Sequence, residues 1–236
     1  MTDAAAHPLL AKALSRRREL AGKFLDGDGL EIGALHEPLE VPPRARVRYV
    51  DRLGPEALRQ HYPELAGQPL VPVDVVDDGE TLARIPDASV DFVIANHMLE
   101  HCENPVGAIR SHFRVLRAGG VLYYAVPDKR YCFDAVRPLT TIEHFRRDDE
   151  VGPSGTRNGH FEEWARLVMN IGDPAAATAE AARLRDMNYS IHFHVWDFDS
   201  FMDFVDLVRE RVPETDFDWS HIELNVGEIV SVFTKR

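Results

Sequence analysis

The sequence predicts an α/β fold, a mostly parallel, doubly wound sheet with helices on both faces. Three observations carry this expectation. Short runs rich in β-branched and aromatic residues alternate with helical patterns along most of the chain. Several of these runs end in a glycine or an acid, where strands of open α/β sheets meet their ligands. A chain of 236 residues, 44% of them hydrophobic, can build one large domain with a substantial core.

The elements follow in order. Residues 8–25 read as a helix, with Leu9, Leu10, Leu14, Leu20, Phe24 and Leu25 near helical spacing and Arg16, Arg17 and Arg18 interrupting that face. Gly27-Asp28-Gly29 breaks the pattern. Strands are expected at 30–33, 46–51, 71–76, 90–95 and 121–126. Pro38, Pro42 and Pro43 argue against a regular helix between the first two. A short helix fits 55–61. A longer one opens at Asn104-Pro105, carries Val106, Ile109, Phe113 and Leu116 on one face, and stops at Gly119-Gly120. Residues 127–195 break the rhythm: a charged run at 146–150, a Gly/Pro/Ser turn region at 152–159, and helical pieces near 161–169 and 174–185. An insertion after a strand's carboxyl end is a place where α/β proteins build substrate pockets. An amphipathic helix over 199–212 and two strands, 217–226 and 228–233, close the chain, the strands as an antiparallel hairpin at a sheet edge.

Composition excludes several classes. Two cysteines, Cys102 and Cys132, rule out a disulfide framework and point to a reducing compartment. Asp plus Glu number 39 against 27 Lys plus Arg, a net charge of −12, which argues against a non-specific nucleic-acid binder. No run approaches a membrane span, and the start lacks the charge order of a secretory signal. The expectation is a cytoplasmic protein that binds a small molecule and neither nucleic acid nor membrane.

Four features fall at strand ends: Glu31-Ile32-Gly33-Ala34, Asp51, Asp77-Asp78-Gly79-Glu80, and Asn96-His97-Met98-Leu99-Glu100-His101. Each suits a nucleoside. A glycine lets the backbone approach closely, and an acid ending the second strand can accept both hydrogen bonds of a ribose diol. An acid after the third strand can accept from an exocyclic amine, and the turn after the fourth offers carbonyls and the Asn96 amide. The candidate cofactor residues are Glu31, Gly33, Ala34, Asp51, Asp77, Asp78, Gly79, Asn96 and His97.

On these residues the chain resembles the class I S-adenosylmethionine-dependent methyltransferases, of the type 11 small-molecule group. LEIGAL resembles the family's first motif and VRYVD its ribose-binding strand. The stretch from Asp78 through IPDASVDFVIANHMLEHCENP is the most specific match, and RVLRAGGVLYYAVPD resembles the helix end and fifth strand. The resemblance covers about residues 28–128 and 195–236. It implies S-adenosylmethionine as cofactor and a Rossmann-like sheet of seven strands with one antiparallel edge strand, plus a helical insertion after strand five. The chain departs from the family at its first motif, where only Gly33 of the usual glycines is kept. That departure counts more against a pyrophosphate ligand than against S-adenosylmethionine, which carries none.

The expected organisation is an N-terminal helix at 1–27, a candidate lid; a cofactor-binding core at 28–128 and 196–236; and an acceptor-binding insertion at 129–195. Lys129, Arg130 and Tyr131 directly follow strand five and suit a polar or anionic acceptor. Among 11 histidines, His97, His144 and His194 are the candidate bases. His192 and His194 would share a face in an extended segment, but spacing fixes no third metal ligand, so no metal is expected. The reaction expected is methyl transfer to an O or N of a small polar metabolite: a sugar, an amino sugar, or a phosphorylated or phosphonate intermediate. The alternatives are a catalytically silent binding protein of the same fold and a nicotinamide-dependent oxidoreductase. Against the latter, Leu35 and Glu37 stand where a phosphate-cradling loop should be.

Overall fold

A computed structural model describes residues 8–65, 67–214 and 216–236, so the first seven positions of the expected N-terminal unit lie outside the described residues. Helix α1 (Pro8–Phe24) precedes β1 (Gly27–Ile32) and β2 (Ala45–Asp51); α2 (Pro55–His61) leads to β3 (Val75–Val76) and β4 (Val90–Asn96). Helix α3 (Pro105–Val115) runs straight into β5 (Leu116–Pro127). The insertion holds α4 (Ile142–Val151), α5 (Arg157–Glu163) continuing as a π-helical turn (Trp164–Val168), and α6 (Pro174–Asp186). Helix α7 (Phe198–Arg211), β6 (Phe217–Asn225) and β7 (Glu228–Lys235) complete the chain.

The seven strands form one sheet in the order β3-β2-β1-β4-β5-β7-β6. The first five are parallel, and β7 runs antiparallel to both neighbours. The closing hairpin forms as expected, but its antiparallel strand lies one place in from the edge, with β6 outermost. Strand order reverses between β1 and β4, which is where such sheets open a ligand crevice.

Alternation divides the core between the two faces. Val93, Ala95, Leu122, Tyr124 and Val126 pack with Phe113, Phe201 and Phe204. Phe92, Ile94, Tyr123 and Ala125 pack with Leu20, Ala21 and Leu25. Helix α1 is therefore a layer on the sheet, and the arginines crossing it are mostly anchors. Arg17 is buried and bidentate on Glu228, and Arg16 is bidentate on Glu223. The insertion has a small core of its own: Phe161, Ala165, Ala177, Ala181, Leu184, Ile191 and Phe193.

Three local expectations change. Strand β1 starts at Gly27 rather than 30, because Gly29 lies under the Phe92 ring, where a Cβ would sit 2.2 Å from its edge. The third strand shrinks to Val75–Val76; Pro72 has no N–H to give a ladder. The charged run at 146–150 is helical, on α4, because Phe145 and Asp148 turn inward while Asp149 pairs with Arg110 and Arg211.

Candidate active site

A cavity of about 440 Å³ opens at the carboxyl ends of the parallel strands. Gly33 enters it after β1, Asp51 and Arg52 after β2, Asp78, Gly79 and Glu80 after β3, and His97 and Met98 after β4. His101 and Glu103 follow, and Asn188, Tyr189, Ser190 and Phe193 of the insertion form the facing wall. Of the candidate cofactor residues, the fold brings Gly33, Asp51, Asp78, Gly79 and His97 together on this one surface.

Glu31, Ala34, Asp77 and Asn96 do not line it. Glu31 is buried, and its Oε1 accepts the Leu39 N–H at 2.9 Å, tying down the proline-rich crossover. Burial pushes its carboxyl up to about 7. Asp77 accepts from the Asp78 and Arg84 N–H groups, which shapes the turn that presents Asp78 and Gly79. The Asn96 amide is buried with neither polar atom partnered.

The turn after β3 is held from behind. His112, fully buried, donates from Nε2 to the Gly79 carbonyl at 2.7 Å, so its Nδ1 accepts from the Tyr124 hydroxyl at 2.6 Å. Burial drops this imidazole to about 4, so it stays neutral. A Cβ on Gly79 would meet Ile32 Cγ2 at 2.7 Å and Met98 Cε at 2.8 Å, so the cavity floor there is backbone. Asp51 is pushed upward by burial, which outweighs the Leu53 and Arg52 N–H groups and the charge on Arg52.

The histidines divide. His97 leaves β4 at φ 49°, with Nε2 2.9 Å from Glu228 Oε2 and Nδ1 3.5 Å from Glu100. Burial opposes its charge, but the Glu100 and Glu228 carboxylates beside it prevail and raise it to about 9. At neutral pH His97 therefore carries a proton and cannot accept one, which corrects its expected role as base. His101, the last residue of the turn after β4, lines the cavity. Its Nδ1 donates to the Ile191 carbonyl at 2.9 Å, which leaves Nε2 with its lone pair. Burial lowers it to about 4, so it is neutral. Glu100 is wholly buried behind these rings, with no hydrogen-bond partner on either oxygen, and His192 approaches it at 4.0 Å while bonding Asp134 at 2.6 Å. The LEH run marked this place; the Asp134 and His192 partners came from sites too distant in sequence to be legible.

The other two candidate bases lie elsewhere. His144 and His194 meet Asp148 and His160 inside the insertion, outside the cavity lining. Lys129, Arg130 and Tyr131 also miss the cavity. Lys129 Nζ donates to the Arg137 carbonyl, Arg130 is bidentate on buried Asp128, and Tyr131 packs on Gly227 with 62% of its surface exposed. The chain after strand five turns back onto Trp196 and leaves the crevice.

Comparison with known proteins agrees with this geometry. A family model described as a methyltransferase domain matches residues 27–124. Two proteins described as probable S-adenosylmethionine-dependent methyltransferases, from two strains of Mycobacterium tuberculosis, are 29% identical over 119 residues. That match covers 49% of this chain and 39% of theirs, so it concerns less than half of either. Among solved structures, a SAM-dependent methyltransferase from Aquifex aeolicus aligns over 98% of this chain and 94% of its own, with TM-score 0.50 and 12% identity. A Rhodobacter sphaeroides protein provisionally described as a zinc-dependent alcohol dehydrogenase aligns over 90% and 85%, with TM-score 0.52 and 15% identity. At such identities these two likenesses show the fold alone. The strand order, the strand-end residues and the matched domain point the same way: residues 27–124 are similar to a methyltransferase domain, on a sheet with the fold of a SAM-dependent methyltransferase.

Proposed function

We propose that the chain transfers the methyl group of S-adenosylmethionine to an oxygen or nitrogen of a small polar acceptor. One observation carries the reading: Gly33, Asp51, Asp78 and Gly79, from three strand ends, line one cavity with His97 and His101. Asp51 accepts the ribose diol, Asp78 an exocyclic amine, and Gly33 and Gly79 let backbone approach the nucleoside. Glu31 and Asp77 hold the neighbouring backbone through the Leu39, Asp78 and Arg84 N–H groups, and Ala34 and Asn96 lie outside the lining. The insertion, 129–195, is the acceptor side, represented in the cavity by Asn188, Tyr189, Ser190 and Phe193.

Transfer from a sulfonium is an in-line displacement, so alignment and exclusion of water do most of the work. An amine acceptor has only to be neutral. For a hydroxyl acceptor, His101 Nε2 is the proton acceptor. The charge on His97, beside Arg17 at 2.7 Å, suits an anionic group on the acceptor. The anionic class thus rests on His97 rather than on Lys129 and Arg130.

Calorimetric titration with S-adenosylhomocysteine tests the cofactor site. Binding to the wild type that weakens more than tenfold in Asp51→Ala is expected; no wild-type binding, or equal binding by both, refutes the site. Release of S-adenosylhomocysteine from S-adenosylmethionine over a panel of sugar phosphates, phosphonates and amino sugars tests the acceptor class. Cofactor binding without release on any of them favours the catalytically silent alternative.

A further inference from the structure

We propose that His144, Asp148, His160 and His194 form a binding site for one divalent transition-metal ion, with zinc the best match. One potential ligand atom from each lies within 4.8 Å of all the others. His144 and Asp148 are four residues apart on one face of α4, His160 comes from α5, and His194 from the extended segment before α7. The site is separate from the cofactor cavity, so it stands or falls apart from the methyl-transfer reading.

The spacing fits an ion. Zinc–nitrogen and zinc–oxygen bonds of about 2.0–2.1 Å in a tetrahedron place neighbouring ligand atoms roughly 3.3 Å apart. His144 Nε2 lies 3.1 Å from both His160 Nε2 and Asp148 Oδ2, and His194 Nε2 lies 3.9 Å from Asp148 Oδ2. The three imidazoles stand nearly edge to face, with centroids 4.8, 5.4 and 5.1 Å apart and interplanar angles of 73–77°. Radial rings around one point have this arrangement; a stacked packing cluster would not.

Hydrogen bonding alone leaves the cluster unsatisfied. Asp148 and His194 are fully buried, and His160 nearly so. Asp148 Oδ1 accepts the Thr156 hydroxyl at 2.7 Å, but Oδ2, the oxygen facing the histidines, has no hydrogen-bond partner. His194 Nδ1 is likewise buried without one. A single proton on His144 Nε2 can serve Asp148 or His160 and not both. A dication would accept a lone pair from each of the four groups, and one carboxylate with three neutral imidazoles is an ordinary donor set for zinc. One support is also present: the Thr156 hydroxyl fixes the Asp148 carboxylate. With four protein ligands the site has no vacant position, which gives the ion a structural role. It would join α4, α5 and the segment that carries Phe193 into the cavity wall, so part of the insertion's folding free energy would be metal-binding free energy.

The test uses the full chain without a histidine tag, loaded with Zn²⁺ and freed of excess by gel filtration. Elemental analysis is expected to find one zinc per chain, and X-ray absorption a shell of nitrogen and oxygen neighbours at about 2.0–2.1 Å. Cobalt in its place should give the intense visible bands of a tetrahedral site. His160→Ala should weaken zinc binding by more than the roughly 10- to 100-fold that losing a supporting hydrogen bond costs. Should that variant fail to fold, His144→Gln, at the partly exposed corner, serves instead. Less than about 0.1 zinc per wild-type chain, a six-coordinate cobalt spectrum, or undiminished zinc affinity in the folded variants would overturn the proposal.

Discussion

Replacing Glu228 by glutamine removes one charge from a buried network and keeps its shape. Glu228, at the start of β7, is 5% exposed and binds Arg17 through both oxygens, His97 through Oε2 and the Asn225 amide through Oε1. Burial alone would raise its carboxyl; the Arg17 and His97 hydrogen bonds outweigh that and bring it from 4.5 down to about 2. Because the folded value is the lower one, the stabilisation is complete above the unfolded value and is lost as pH falls through the folded one. The shift corresponds to about 3 kcal/mol at pH 7 and about 2 kcal/mol at pH 3.5. Breaking a buried ion pair independently suggests about 3–5 kcal/mol, because Arg17 is left uncompensated. Urea denaturation of Glu228→Gln at pH 7 should show a loss near 3 kcal/mol, and melting at pH 7 should fall by about 6–12 °C. The difference from wild type should narrow as pH is lowered. A loss below about 1 kcal/mol, or one unchanged between pH 7 and 3.5, would refute the assignment.

Other consequences are as specific. Gly79→Ala should cost about 1–3 kcal/mol by denaturant titration and weaken S-adenosylhomocysteine binding, since its Cβ would collide with Ile32 and Met98. His112→Leu should cost about 1–3 kcal/mol by the same measurement, from stranding the Gly79 carbonyl and the Tyr124 hydroxyl. His101→Gln should lower turnover of a hydroxyl acceptor about 10²- to 10⁴-fold, with S-adenosylhomocysteine affinity held within threefold by calorimetry. In the wild type, with His101 near 4, its contribution to a pH–rate profile is flat through neutrality and falls only on the acid side. Arg130→Ala should leave turnover and cofactor affinity within about twofold, since Asp128 holds Arg130 away from the cavity.

The sheet was legible because the strands of the cofactor half carry local signals: a short LEI run in the first, β-branched or aromatic runs in the rest, and Gly33, Asp51, Asp78 or His97 after them. Those ends meet once strand order is fixed, so local reading found the cavity. The acceptor side was less legible. Lys129 and Arg130 follow strand five in sequence, yet their charges are spent on the Arg137 carbonyl and on Asp128, which no spacing rule reveals. Arg17 reads only as a charge interrupting the apolar face of its helix because its partner Glu228 is 211 residues away. Helix α4 was hidden by charge: only Ile142, Phe145 and Val151 are apolar, and the inward position at 148 is an aspartate. Of the His144–Asp148–His160–His194 cluster, only the first pair had helical spacing to give it away.

The extended segment from Ile191 to Trp196 ties two centres together through its register. Its H-x-H pair sets His192 against Asp134 and His194 among the insertion histidines, while Phe193 between them donates its N–H to the Glu100 carbonyl and reaches the cavity. Val195 and Trp196 then fasten to Thr140 and Lys129. In an extended chain successive side chains point to opposite sides, so inserting or deleting one residue here would exchange the two sides. Both histidines would leave their partners in a single step, and Phe193 with them. This stretch is therefore closed to length changes, and a deletion scan through the insertion should meet its sharpest boundary at His192.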